Sequence, residues 1–300
     1  MSVVAARIAA QAKVNLALRV GGRRDDGYHE LATIFARIGL ADDVVVRVLR
    51  RGLTLAVHRD GSPDRALEDP ATNLAAVAAR AYMRASTWPS GCGIHIEKRI
   101  PVGAGLGGGS ADAGAVLRAL DSMSPEPLGK AELMRIGATL GADVPFFTTD
   151  APMALGTGRG DLLEPLPPLP VRALALVMPR FSISTADAYA WLDADRAAHA
   201  PPSAPDLDSL RAYARDWGTL ARNAANDFQS VIEARHPIIK ACCSALRDVG
   251  ATLAMMTGSG SAVFGIFEEA PDATKITRAC DSWALVTHVP ARVVAPPGGE

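Results

Sequence analysis

Three hundred residues, 49% hydrophobic and 21% charged, can bury a sizeable core and exclude a disordered chain. A net charge of -1 and a pI near 6.6 argue against nucleic acid or another polyanion as partner, so an anionic ligand must be met by a few local groups. No apolar run is long enough to span a membrane, residues 1–7 lack the basic start and apolar core of a signal peptide, and Cys92, Cys242, Cys243 and Cys280 show no metal-ligand spacing. The expectation is a cytoplasmic protein whose cysteines pack as small apolar residues.

Residues 7–20 alternate and read as a strand or strand pair. Lys13 stands there among Ala12, Val14 and Leu16, where a lysine is costly unless paired. Asn15 falls on the same face by the period of two, either as a polar strand-end residue or as a partner for a ligand. Asp25-Asp26-Gly27 is a turn signal followed by Tyr28 and His29. Residues 43–48 and 53–58 predict a β-hairpin about Arg50-Arg51-Gly52. Asp69-Pro70 opens a helix over residues 72–85, with Asn73 at its start. Residues 91–100 form a strand with Ile94, Ile96 and Lys98 on one face.

The segment Pro101-Val102-Gly103-Ala104-Gly105-Leu106-Gly107-Gly108-Gly109-Ser110-Ala111 then joins that strand to a helix running to Leu120. Glycines let backbone N–H groups approach a ligand, and a helix starting at such a turn directs its free N–H groups and positive dipole end to the same place. A phosphate fits there. The Walker pattern fails, because Ser110-Ala111 and not Lys-Ser follows Gly109. The dinucleotide pattern is met by Gly103, Gly105 and Gly108, but a second helix over residues 130–140 follows where that fold needs a strand. Ser110 reads as an N-cap or as a phosphate or Mg²⁺ contact.

Asp143 lies past a helix end at Gly141 and before Pro145, which is read as stopping the helix; it is a turn aspartate or a proton acceptor. A Gly156–Gly160 turn and the proline-rich stretch 165–170 mark a change of texture. Residues 174–178 read as a buried strand, 200–205 as a proline-rich connection, 227–235 and 237–249 as helices. Residues 252–256 and 262–267 flank Gly258-Ser259-Gly260 as a hairpin or glycine turn. Residues 296–300 are expected to be a disordered tail. His58, His95, His199, His236 and His288 are scattered and receive no chemistry.

The loop resembles the ATP loop of the GHMP kinase superfamily, small-molecule kinases that phosphorylate alcohols and a few acids. Residues 12–16, 22–31, 140–147 and 257–264 extend the resemblance over most of the chain, toward the branch whose acceptor is a cytidine diphosphate-linked methylerythritol. It implies a two-domain α+β fold with the active site in the interdomain cleft. The expected halves are an ATP-binding and catalytic domain, 1–155, and a substrate-binding domain, 156–300. It implies ATP as phosphoryl donor, with Mg²⁺ held mostly by the phosphates and water, and a role in the non-mevalonate isoprenoid pathway. Lys13 and Asp143 become the catalytic pair, with Asn15 beside the substrate. Asn73 and Lys98 come near the nucleotide base. Tyr28 stacks on cytosine, His29 meets the base edge, and Tyr189 and Thr185 complete the acceptor site. A kinase for homoserine, mevalonate or a sugar is the alternative; those acceptors carry no base for Tyr28 to stack on. A non-catalytic nucleotide-binding regulator is the third reading, opposed by the retained Lys13 and Asp143.

Overall fold

The computed structural model describes residues 5–197, 205–280 and 282–293. Residues 200–204 of the expected connection, His199 and the expected tail lie outside them. In chain order the elements are β1 (Ala5–Arg23), β2 (His29–Leu49), β3 (Gly52–Arg59), β4 (Ser62–Pro63), α1 (Leu74–Ser86) and β5 (Gly91–Lys98). Then come α2 (Gly108–Met123), α3 (Lys130–Leu140), α4 (Val144–Thr148), β6 (Met153–Gly158), β7 (Leu162–Leu166), β8 (Arg172–Met178) and α5 (Thr185–Ala197). The chain continues through α6 (Leu207–Tyr213), α7 (Trp217–Asn223), α8 (Gln229–Glu233) and α9 (Ile238–Asp248). It closes with β9 (Leu253–Met256), β10 (Val263–Phe267), α10 (Ala273–Cys280) and β11 (Trp283–Val289). This is an α+β fold with two sheets.

β2 organises the first sheet, of order β4-β3-β5-β2-β6-β7, with β1 on its other side. Its C-terminal half pairs with β5 and its N-terminal half with β6. Between those stretches β2 has no strand neighbour on that side, and two buried charges take over. Asp42 accepts from the backbone N–H of Ile100 (2.8 Å) and Arg99, receiving the end of β5 as it leaves for the glycine loop. Arg37 donates to the carbonyls of Phe146 (2.8 Å), Thr149 (2.9 Å) and Ala151 (3.2 Å), receiving α4 and the approach to β6. Buried donors and acceptors at a break in a ladder need such partners. The break is where the loop, α2 and α4 converge.

The expected hairpin over 43–58 does not form. β3 pairs parallel to β5, and β5 lies between β2 and β3. β5 buries alternate side chains over its length, so the interior place suits it better than the edge. Pro145 does not end helical structure: it sits in the first turn of α4, where its missing N–H costs nothing. The division expected at 155/156 falls inside β6, which with β7 completes the first sheet around the Gly158 and Gly160 turn. The change of sheet comes in the proline-rich stretch between Leu166 and Arg172.

The second sheet runs β11-β8-β10-β9, all antiparallel, with the expected turn at 258–260 joining β9 to β10. Its two faces serve two clusters. Leu174, Leu176, Met255 and Phe264 join the core of the first sheet. Ala175, Val177, Met256 and Val263 face the helices α5, α8, α9 and α10. All four cysteines are buried and unbridged, as expected of packing residues.

Candidate active site

The glycine loop ends at Gly107, the N-cap of α2, which carries no side chain to satisfy the first N–H groups of the helix. Gly105 has φ +77°, and a Cβ there would stand 2.6 Å from the Thr257 carbonyl oxygen. The loop therefore lies against the second glycine turn, tied by the Ala262 N–H donating to the Ala104 carbonyl (3.3 Å). At Gly107, φ +71°, a Cβ would stand 3.0 Å from the Phe147 ring and 3.2 Å from Lys13 Cγ. Beside these contacts lies a cavity of about 360 Å³, with the first turn of α2, uncapped by any side chain, on one wall. Each loop residue named from sequence lines it except Ala111, which is buried and donates its N–H to the Gly107 carbonyl. Ser110 is not the N-cap; it lies in the first turn of α2 and faces the cavity.

Asn73 lines the same cavity and caps α1, its Oδ1 accepting from the Ala75 N–H (2.9 Å) while Nδ2 donates to the Leu67 carbonyl (2.9 Å). Lys98 is buried, and its ammonium donates to Asp42 and to Asp112 Oδ2 (2.7 Å). Two carboxylates thus share one ammonium. Burial, together with the charge of Asp42, pushes the Asp112 carboxyl up to about 8 against the pull of Lys98. Asp112 Oδ1 is buried without a hydrogen-bond partner.

A second cavity of about 520 Å³ adjoins the first, sharing Gly105, Gly107 and Ser110 with it. Lys13 and Asp143 stand in its wall, Lys13 Nζ 3.5 Å from Asp143 Oδ2. The two arrive from distant elements. Lys13 is on β1 beside a register shift, its N–H donating to the Leu106 carbonyl of the loop (3.0 Å). Asp143 occupies the N-cap position of α4, yet its side chain caps nothing and is left to Lys13. Asn15 Oδ1 accepts from Lys13 Nζ (2.7 Å), and its Nδ2 donates to Thr33 Oγ1 (2.8 Å). Thr257 Oγ1 donates to Asn15 Oδ1 (3.3 Å) and accepts from the Asn15 N–H (2.9 Å). Asn15 is thus spent largely on fixing the ammonium.

Across this cavity lie the ring side chains. Tyr28 is 57% exposed, with the Arg159 guanidinium 5.1 Å from its ring centroid. His29 is buried, stacked on Tyr189 (4.8 Å, 19° between planes), and its Nε2 is 2.8 Å from Asp193 Oδ1. Tyr189 packs edge-on against Phe228, and burial, then the charges of Asp143 and Asp193, push its phenol up to about 12. Thr185 opens α5 with its hydroxyl 3.1 Å from that of Ser259. Both Thr185 and Tyr189 line the cavity. Arg159, Asp193, Thr33, Thr257 and Asp112 escaped the sequence reading as site residues. Thr257 and Arg159 lie in glycine-rich segments already marked; Asp193 lies in an ordinary helix and has no local signal.

Residues 73–151 match the GHMP kinases N terminal domain and residues 206–284 the GHMP kinases C terminal domain. The chain is 38% identical over 286 residues to a 4-diphosphocytidyl-2-C-methyl-D-erythritol kinase of Salinibacter ruber, covering 93% of this chain and 96% of the relative. A crystal structure of a 4-(cytidine 5'-diphospho)-2C-methyl-D-erythritol kinase superposes with a TM-score of 0.74 at 35% identity, over 94% of this chain and 98% of that one. A homoserine kinase from Cytophaga hutchinsonii gives a TM-score of 0.74 at 16% identity, covering 98% of this chain and 97% of that one, a likeness of fold alone. By sequence over nearly its whole length, and by fold, the chain belongs to the GHMP kinases and among them to the family of 4-diphosphocytidyl-2-C-methyl-D-erythritol kinases.

Proposed function

We propose that this protein transfers the γ-phosphoryl group of ATP to the 2-hydroxyl of 4-diphosphocytidyl-2-C-methyl-D-erythritol, giving the 2-phosphate and ADP, in the non-mevalonate route to isoprenoid precursors in the cytoplasm. One observation carries the reading: the Lys13–Asp143 pair lines the same cavity as Tyr28, His29 and Tyr189, and that cavity shares Gly105, Gly107 and Ser110 with the glycine-loop cavity. In this reading the first sheet and its helices supply the nucleotide side, and α5 brings Thr185 and Tyr189 to the acceptor.

The glycine loop fits a triphosphate, because a free helix N-terminus and close-approach backbone form the wall of its cavity. Asn73 and Lys98 line that cavity on the nucleotide side, Lys98 acting through Asp42 and Asp112. Mg²⁺, when bound, supplies charge neutralisation on the phosphates; Ser110 is the hydroxyl of the loop that faces them. Asp143 takes the proton from the acceptor hydroxyl as its oxygen bonds to phosphorus. Lys13, held by Asn15, orients that oxygen and offsets charge that develops there. Tyr28 offers an exposed face for the cytosine. Asp193 accepts a hydrogen bond from His29 in the Nε2–H tautomer, in which Nδ1 is an acceptor for the amino group on the base edge. A net charge of -1 gives no reason to expect a nucleic-acid partner.

The test is ADP release measured in a coupled assay with the diphosphocytidyl methylerythritol, homoserine, mevalonate and galactose as acceptors. The cytidyl acceptor should stimulate turnover far above the others. Equal turnover with another acceptor would overturn the substrate and leave the kinase chemistry; no turnover with any would favour a nucleotide-binding regulator.

A further inference from the structure

We propose that His58, His95 and Glu97 form a binding site for a divalent transition metal of the Zn²⁺ class on the face of the first sheet opposite the glycine loop. The residues come from two neighbouring strands. β3 and β5 run parallel, with His58 beside Glu97 and Ala56 beside His95. Ile94, Ile96 and Lys98 are buried on one face of β5, so His95 and Glu97 project together from the other. Val57 is buried, which puts the next residue of β3, His58, on that same outer face. One ligand atom from each of the three lies within 4.8 Å of the other two.

The chemistry favours zinc over magnesium. Two imidazoles and a carboxylate are a common Zn²⁺ donor set, whereas Mg²⁺ prefers oxygens and its own water. Zn²⁺ holds such donors at about 2.0–2.1 Å, which sets them roughly 3.3 Å apart. Binding would draw the three ligand atoms together from their present spacing of up to 4.8 Å. The two imidazole rings already meet edge to face, 4.8 Å between centroids. Glu97 is oriented from behind, its Oε1 accepting from the Gly61 N–H (3.1 Å) in the β3–β4 turn. Hydrogen-bonded ligand carboxylates of this kind are typical of built metal sites. Asp43, opposite Glu97 on β2, is ion-paired with Arg7 (2.8 Å), so its charge is largely offset. His95 also borders an open groove beside Thr54 and Gly93, which leaves room for a water or a fourth donor.

A metal here would fasten β3 and its turn to β5, the strand that carries Lys98 and leads into the glycine loop. Its measurable effect is on stability, independent of phosphoryl transfer. The test uses the tag-free full chain without nucleotide. ZnCl₂ is titrated by calorimetry, and melting is followed with and without Zn²⁺ for wild type, His58→Ala, His95→Ala and Glu97→Gln. One saturable Zn²⁺ per chain should raise the melting temperature. Each histidine variant should lose at least about tenfold in affinity, with its metal-free melting temperature unchanged, and Mg²⁺ should neither bind there nor compete. Co²⁺ added to wild type provides a readout independent of the variants: visible ligand-field bands without sulfur-to-metal charge transfer support the site. Absence of saturable binding, affinity unchanged in both histidine variants, or thiolate charge-transfer bands pointing to the cysteines would each overturn it.

Discussion

At the scale of single residues, the candidate chemistry rests on a pair that would be unremarkable apart. Asp143 is in position to cap α4 and does not, and the ammonium of the buried Lys13 meets Asn15 and Asp143. Asp143→Asn keeps the shape and removes the proton acceptor. Its kcat should fall by about 10²–10⁴-fold, while ATP binding measured by calorimetry stays near wild type; a near-normal kcat would make Asp143 structural. Lys13→Met should also lower kcat, and the double variant should lose less than the product of the two single losses. The two tyrosines now separate. Tyr28 is exposed, with the Arg159 guanidinium over its ring, so Tyr28→Ala should raise KM for the cytidyl acceptor about tenfold, the worth of one base stack, with an unchanged melting temperature. Tyr189 supports His29 and meets Phe228, so Tyr189→Ala should raise that KM and lower the melting temperature together. A Tyr28→Ala variant that weakens ATP and spares the acceptor would put the cytosine on the other side of the cleft.

Between elements, the glycine loop is held by what it touches more than by its own sequence. Gly105→Ala would drive a methyl group into the Thr257 carbonyl from a backbone at positive φ. The loop and the second glycine turn should separate, raising KM for ATP with a smaller effect on the acceptor; steady-state kinetics with each substrate varied reads this directly. Behind the loop, the Asp42–Lys98–Asp112 cluster joins β2, β5 and α2 and carries a pH signature. Asp112 is raised from the ordinary carboxylate range to about 8 in the folded chain. Between about pH 4 and that value the folded state holds a proton that the unfolded state has released. Stability from this group is therefore present below about pH 4 and is lost as pH rises toward 8. Asp112→Asn imitates the protonated acid, so its melting temperature should decline less than wild type's across that window. Parallel curves for the two proteins would show that Asp112 is ionised throughout.

For the molecule as a whole, the two sheets are not two independent bodies. Leu174, Leu176, Met255 and Phe264 of the second sheet belong to the same buried cluster as Ile34, Ile96 and Leu117 of the first part. Separating the halves would expose that shared face to water. Urea unfolding should therefore run as one transition, with tryptophan fluorescence, weighted to Trp191, Trp217 and Trp283 of the second part, coinciding with circular dichroism. Two resolved steps would show that the halves fold separately.

The roles of Lys13 and Asp143 came from the resemblance to the GHMP kinases; the sequence by itself determined the glycine loop, the helix pair after it and the turn between β9 and β10. Each is a local pattern of φ, periodicity or residue type, and local patterns survive without knowledge of partners. What only the tertiary structure decided depends on strand order and approach. The segment 43–58 reads as a hairpin because adjacent strands with a short turn usually pair, but β5 buries more by entering between them. Lys98 reads as a strand lysine until Asp42 and Asp112, from β2 and α2, close on it. Asp193 has no motif around it and matters only because α5 lays it against His29. His58 and His95 are scattered in the chain and adjacent in space, since parallel pairing joins residues far apart in sequence at a register that no local pattern records.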